Sequence, residues 1–290
     1  MVFLKDKFES FAYMQSLVAY FSTIPSTHRS LILVGGITFF WVLEGIIPLA
    51  IFHYKKWRHA GINFFFTLTT IVINFVLAFL LVKTSDWTQA NEFGLLAWLP
   101  KMSWFWTGLI GVLALDLIGA YTVHWAEHKV RWMWKFHLIH HTDTHVDTTS
   151  ANRHHPGESV FRFFFTLLGV AIVGVPMWIV FLYQSLSVIL SQFNHANIQI
   201  PLAVDKLLSW VIVSPNMHKV HHHYQLPYTD SNYGNIFSIW DRLFGTFKTL
   251  KPDHIVYGVD THMDPQENDE VRSLLKIPFM GYRPPTTLGN

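Results

Sequence analysis

Cysteine is absent from the 290 residues, and charge is scarce: Asp, Glu, Lys and Arg make up 14%, where about 25% is usual for a soluble domain. Without thiols the chain forms no disulfide, thiolate zinc site or iron–sulfur cluster, and it performs no thiol catalysis. Any metal must be held by nitrogen and oxygen. The net charge is only +2, with no long basic run, so no nucleic-acid partner is expected. What the chain has instead is 51% hydrophobic residues, 16% aromatics and 18 histidines. The first figure points to lipid, the last to imidazole chemistry.

Three stretches are long enough to cross a bilayer, which takes about 20 apolar residues. Leu31–Phe52 carries only Glu44 as a charge and Pro48 as a kink, Ile62–Val82 carries none, and Trp104–Val123 carries Asp116. Lys55, Lys56 and Arg58 join the first two spans, and the positive-inside tendency makes that loop cytoplasmic. The third span then ends in the cytoplasm. Phe163–Phe193 is uncharged for 31 residues around Pro176, longer than one span needs and short for two. If residues on both sides share one site, the segment returns to its starting face, as a bent, shallow helical hairpin at about 160–200. The first 28 residues lack a signal-peptide layout, and 1–30 reads as an interfacial segment. The spans fill 31–123, a catalytic region 124–250, and a polar tail 251–290. The fold class expected is all-α: a polytopic membrane helical bundle with a cytoplasmic helical cap.

That cap carries the histidines. Residues three and four apart share a helix face. "HWAEH" places His124 and His128 at i and i+4. "HLIHH" places His137, His140 and His141 at i, i+3 and i+4, and "HKVHHH" repeats this with His218, His221 and His222. At this histidine frequency a random chain would match H-x-x-H-H about 0.07 times; here it occurs twice. Clustered imidazoles would repel if protonated, and a bound cation that keeps them neutral removes that cost. A bland reading, as polar tips in the headgroup region, suits His28, His53 and His59, but not the boxes. Zinc usually takes four ligands; eight or more histidines suit two ions, and imidazole also suits iron.

The segments around the boxes resemble the fatty acid hydroxylase/sterol desaturase superfamily of integral-membrane di-iron oxygenases. The resemblance runs from about Asp116 to Thr246 through "HWAEH", "WKFHLIHH", "ANRHHPGE", "FNHANI", "SPNMHKVHH" and "SNYGNIFSIWDRLFGTF". It implies two iron ions (Fe2+/Fe3+) held by His124, His128, His137, His140, His141, His218, His221 and His222, with His155 and His195 completing the shells. Asp116 matches a family acidic residue. Asn232 or Tyr233 is a candidate holder of an imidazole N–H, and Asp116 a candidate to orient His124 or His128 or to bond a neighbouring helix. Two positions depart from the pattern: Trp125 stands where many members have arginine, and His223 where a small polar residue is usual.

The implied function is hydroxylation or desaturation of a lipid C–H bond (sterol, fatty acyl or ether lipid), with O2 as co-substrate. The only glycine pairing, "VGGITFF", lies inside a span and lacks a dinucleotide fingerprint. Electrons are therefore expected from an external donor: cytochrome b5-like, ferredoxin-like or a reduced pterin. Two rivals compete with this reading. One is a metal-dependent membrane hydrolase; the other is a histidine-rich membrane metal-binding or transport protein, whose ligands belong at mid-bilayer.

Overall fold

The computed structural model describes residues 2–286, and among them no strand forms. Six long helices build the bundle: α1 (Val2–Ser22), α2 (Ser26–Ile46), α3 (Lys56–Ala90), α4 (Trp104–Asp116), which runs through a π-helical turn (Leu117–Thr122) into α5 (Val123–Lys129), and, after α6 (Arg131–His141), the pair α7 (Pro156–Val173) and α8 (Met177–His195). Short helices follow: α9 (Leu202–Leu208), α10 (Pro215–His221), α11 (Ile239–Leu243) and, in the C-terminal segment, α12 (Val271–Lys276). Among the described residues, four helical stretches are long and apolar enough to span a membrane: Ser26–Ile46, Lys56–Trp98, Trp104–Lys129 and Pro156–Val173. Phe39, Val42, Phe75, Val76 and Phe79 on α2 and α3 are all more than half exposed. Such a continuous apolar surface suits hydrocarbon rather than water.

Three details depart from the sequence reading. The first span stops at Ile46 rather than Phe52, because a residue preceding proline disfavours the α region and Pro48 itself has no N–H to donate. The backbone there turns instead to pair Pro48 with Ile198. The helices of the hairpin outrun the uncharged segment: α7 and α8 have 18 and 19 residues, about 27–29 Å each, because both continue as helix into polar sequence at Pro156–Arg162 and Asn194–His195. Its tip is a tight glycine crossing. Gly174 takes φ +68 and Gly94 φ +111, and a Cβ on Gly174 would lie 2.2 Å from the Phe93 carbonyl oxygen; only residues without a side chain fit. The C-terminal segment, expected as a polar tail, also holds apolar residues that pack. Leu274, Ile277 and Val259 pack with Ile62, Phe66, Leu138 and Ile139 in a buried cluster, so its few apolar residues bind it to α3 and α6.

The main core lies between α3, α4, α7 and α8, around Leu115, Phe163, Val170, Val175, Ile179 and Tyr183. α1 packs on α8 and α4, with Val18 and Phe21 against that core. The loop from Ile47 to Lys55 and all three histidine boxes share one end of the bundle: Tyr54 donates to Asp147 at 2.9 Å, and His59 lies 2.9 Å from Asp143, two residues past the second box. At that end α3 extends about 52 Å in all, well beyond the ~30 Å of a hydrocarbon core.

Candidate metal centre

Each box becomes a face of a short helix. α5 carries His124 and His128, α6 carries His137, His140 and His141, and α10 carries His218 and His221, with His222 as its C-cap; His195 ends α8. Ser214 caps α10 by accepting from the Met217 N–H at 3.3 Å, with Pro215 in the first turn, so the third box starts from a fixed point. The π turn just ahead of His124 inserts one residue into the helical register, a feature that concentrates at functional sites.

The rings converge in two adjoining groups. His124, His128, His137, His141 and His221 form one; His140, His195, His218 and His222 form the other; within each, the ligand atoms all lie within 4.8 Å of one another. The groups touch through His141 and His222, stacked with centroids 4.9 Å apart. His154 joins neither, but stacks on His140 at 4.8 Å and forms a further set with His137 and Glu158. His155, expected as a ligand, is not brought in. Its Nδ1 accepts from the Gly157 N–H at 2.9 Å, capping α7. His223 points away and accepts from the Val256 N–H, while His145 stacks on Tyr54 at 4.6 Å.

Proton positions follow from the outward partners. Nδ1–H of His124 donates to the Tyr233 carbonyl at 2.8 Å, that of His137 to Glu158 at 2.8 Å, that of His221 to the Ser231 carbonyl at 2.6 Å, and that of His195 to the Ser191 carbonyl at 2.7 Å. Their Nε2 lone pairs therefore face inward. His124 and His137 Nε2 are 3.1 Å apart, and His195 Nε2 meets those of His140, His218 and His222 at 3.2, 3.1 and 3.3 Å. Lone pairs so placed repel unless a cation lies among them. Nitrogens about 2.1 Å from a metal stand roughly 3.0–3.4 Å apart at right-angled or tetrahedral positions, which is the spacing found. His128 and His221 Nε2 are buried with no hydrogen-bond partner. Burial, helped by neighbouring imidazoles, pushes His137, His140, His141, His218 and His222 well below the usual histidine range, and burial pushes His221 down to about 4. All are thus neutral near pH 7, the form that ligates. The residues fit a pair of metal ions.

Neither Asp116 nor Asn232 bonds an imidazole through its side chain. Asp116 accepts from Ile236 N–H at 3.2 Å, Phe237 N–H at 3.1 Å and Trp240 Nε1–H at 2.9 Å. It bonds a neighbouring segment, one of its two expected roles. Asn232, at φ 53, accepts from Lys248 N–H and donates to the carbonyls of Met217 and Lys248. The left-handed turn it adopts, which asparagine tolerates, aims the flanking carbonyls of Ser231 and Tyr233 at His221 and His124. The backbone here does what a side chain was expected to do.

The carboxylates at the centre's edge were not singled out from sequence. Glu158 and Glu127 are fully buried; Arg162 Nε donates to Glu158 at 2.9 Å and Glu127 at 2.8 Å, and its Nη2 also meets Glu127. The signal was the i, i+4 pair His154–Glu158 at the head of an otherwise apolar segment. Because ligand partners raise imidazole basicity and fix its tautomer, Glu158→Gln is expected to weaken metal binding roughly 10–100-fold. Competition with a chelator measures this, and an unchanged affinity would remove Glu158 from the site.

Residues 108–246 match the fatty acid hydroxylase family. Alkylglycerol monooxygenase of Xenopus tropicalis is 29% identical over 157 residues, covering 54% of this chain and 33% of that protein. Ornithine lipid hydroxylase OlsE of Rhizobium tropici is 24% identical over 135 residues, 47% of this chain and 40% of that protein. Cholesterol 25-hydroxylase-like protein 1, member 2 of Danio rerio is 27% identical over 184 residues, 62% and 65%. The chain thus spans about a third of the alkylglycerol monooxygenase it matches. No solved structure matches it.

Proposed function

Since the chain belongs, through residues 108–246, to the fatty acid hydroxylase superfamily, we propose that it is a multi-pass membrane oxygenase that hydroxylates or desaturates a C–H bond of a lipid. The observation that carries this reading is the pair of adjoining all-imidazole groups. His124, His128, His137, His141 and His221 would hold one iron, and His140, His195, His218 and His222 the other. Bound iron supplies dioxygen reduction and C–H cleavage. In the net hydroxylation, one oxygen atom of O2 enters the lipid and the other leaves as water, with two electrons and two protons taken from a donor.

The chain's own residues prepare this chemistry. Carbonyls of Ser191, Ser231 and Tyr233 and the carboxylate of Glu158 orient the rings and keep each inward nitrogen unprotonated. Burial of every ring in both groups limits water, and so limits wasteful discharge of oxidant. The site lies at the end of the spans that carries Lys55, Lys56 and Arg58, which supports a cytoplasmic active site. Gly35 and Gly36 lie within helix α2 rather than in a dinucleotide-binding turn, which supports an external electron donor: a cytochrome b5-like or ferredoxin-like carrier, or a reduced pterin.

The test is metal analysis joined to oxygen consumption. Purified protein is expected to hold about two irons per chain and, with reductant and membrane lipid, to take up O2 and yield an oxidised lipid. Bound zinc with no oxygen uptake after reconstitution with ferrous iron would instead favour hydrolysis.

A further inference from the structure

Helix α9 is built inside out. Of its seven residues Asp205 is the one buried, accepting from the Asn216 N–H at 3.2 Å, while Leu202 and Leu207 are more than half exposed. Trp210 and Val211 beyond it, and Leu243 and Phe244 at the end of α11, are exposed to the same degree. They belong to one surface, because the two segments pair: Val213 N–H donates to the Ile236 carbonyl at 3.0 Å, and Ser238 N–H to that of Val211 at 3.3 Å. The surface also adjoins a span. Phe244 stacks on Tyr121 of the π turn with centroids 5.2 Å apart, and Trp240 bonds Asp116 at 2.9 Å within the third span. Apolar residues so placed suit acyl chains rather than water.

Beside this surface lies a groove of about 370 Å³, lined by Lys206, Arg242 and Lys248 together with Leu202, Trp210 and Phe247. The Arg242 guanidinium lies over Trp210 and Phe247, 4.4 and 3.8 Å from the ring centres, and its Nη2 donates to the Ser209 carbonyl at 2.6 Å. Its Nε–H is buried without an acceptor. Among the described residues, the ion pairs of lysine and arginine form elsewhere, at Arg58, Lys129, Arg162 and Arg283. The groove's own carboxylate, Asp205, is turned to α10, and Asp241, next to Arg242, accepts from Tyr233 and Gly234 N–H. Three cations thus line an apolar-rimmed space with no ion-pair partner among them. The inner wall is the back of α10. Met217 and Val220 line the groove, whereas His218 and His221, one residue on from each, join the imidazole groups.

We propose that this groove binds an anionic phospholipid of the surrounding membrane, its phosphate among Lys206, Arg242 and Lys248 and its acyl chains on the apolar surface beside them. The site is separate from the one that oxidises lipid, on the opposite face of α10, and it goes beyond the oxygenase reading: only the membrane placement is needed. Basic side chains at a membrane surface attract anionic headgroups, and a zwitterionic headgroup brings a positive charge of its own. A free phosphate would leave the apolar rim in water.

The test titrates the full chain, purified in an uncharged detergent, and reads the bound fraction by native mass spectrometry. The probes are phosphatidylglycerol, phosphatidylcholine with the same acyl chains, and inorganic phosphate. Phosphatidylglycerol is expected to bind about tenfold more tightly than phosphatidylcholine, and inorganic phosphate at least about a hundredfold more weakly than phosphatidylglycerol. Lys206→Gln combined with Lys248→Gln, which leaves the Arg242 stack in place, should weaken phosphatidylglycerol about tenfold. The same loss of charge at the opposite end of the bundle, Lys83→Gln with Lys101→Gln, should leave its binding unchanged. Equal affinity for the two lipids, phosphate bound as tightly as phosphatidylglycerol, or equal weakening by both double variants would overturn the proposal. So would a dimer of the purified chain that only the Lys206/Lys248 variant dissociates, since a second copy would then be the occupant. No arm reads lipid oxidation, so this outcome and that of the oxygenase reading are decided separately.

Discussion

Replacing His221 by alanine is expected to lower bound metal from about two ions per chain to one or fewer, and to reduce lipid oxidation by at least ~100-fold, with the chain still in the membrane. His221 stands at the middle of the first group. Its ring lies 4.5 Å from those of both His124 and His141, and its Nε2 is buried without a partner. Removing it takes one nitrogen from the set and leaves the Ser231 carbonyl without its donor. His140→Ala is expected to do the same to the second group, where His140 Nε2 meets His195 Nε2 at 3.2 Å. The spans contain neither residue, so membrane insertion persists. His155→Asn is the matched control. Its position caps α7, and asparagine retains a capping oxygen, so metal content and turnover should stay near the parent's. Full turnover in either alanine variant, or metal loss in the control, would show that the two groups are wrongly drawn.

Asp116→Ala is expected to destabilise the protein by roughly 3 kcal/mol, since one buried and two part-buried donors lose their acceptor, at about 1–3 kcal/mol for a buried one and less for the others. The loss should reach the metal centre as well. Asp116 fixes the segment from Ile236 to Trp240, and Asp241, at the start of the same short helix, accepts from the N–H groups of Tyr233 and Gly234 at 2.7 and 2.9 Å. The Tyr233 carbonyl, in turn, orients His124. A chain of buried bonds thus runs from mid-span to a ligand. Thermal unfolding in detergent, read beside metal content, distinguishes the two effects. A variant with lowered stability but parental metal affinity would confine Asp116 to the fold. Asp116→Asn should fall between, because one oxygen still accepts while the new amide opposes an N–H.

The boxes themselves were legible because a helix converts spacing into direction. His137, His140 and His141 point one way whatever surrounds them, and the same holds for His218, His221 and His222. The spans were legible from charge scarcity alone. Their ends were less so: Pro48 stops α2 by local backbone sterics, whereas α7 and α8 continue past the uncharged segment because Glu158, Arg162 and His195 find partners in the buried centre. No pattern of hydrophobicity announces such partners. The register at "HHPGE" turned on the same point. His154 and His155 are adjacent and alike in sequence, and only the packing of α7 against α6 sends one ring toward His140 and the other to its own helix cap.

Sequence alone determined that imidazoles, not thiolates or carboxylates, dominate the donor set, that they fall on helix faces, and that they follow apolar spans. Those properties are set by residue identity and by the 3.6-residue turn, and need no knowledge of distant neighbours. Only the tertiary structure decided how nine rings divide into two groups and which backbone carbonyls orient them. These outcomes depend on residues more than a hundred positions apart meeting in space. Burial, and the need to pair every buried donor and acceptor, selects among the arrangements that helical spacing leaves open.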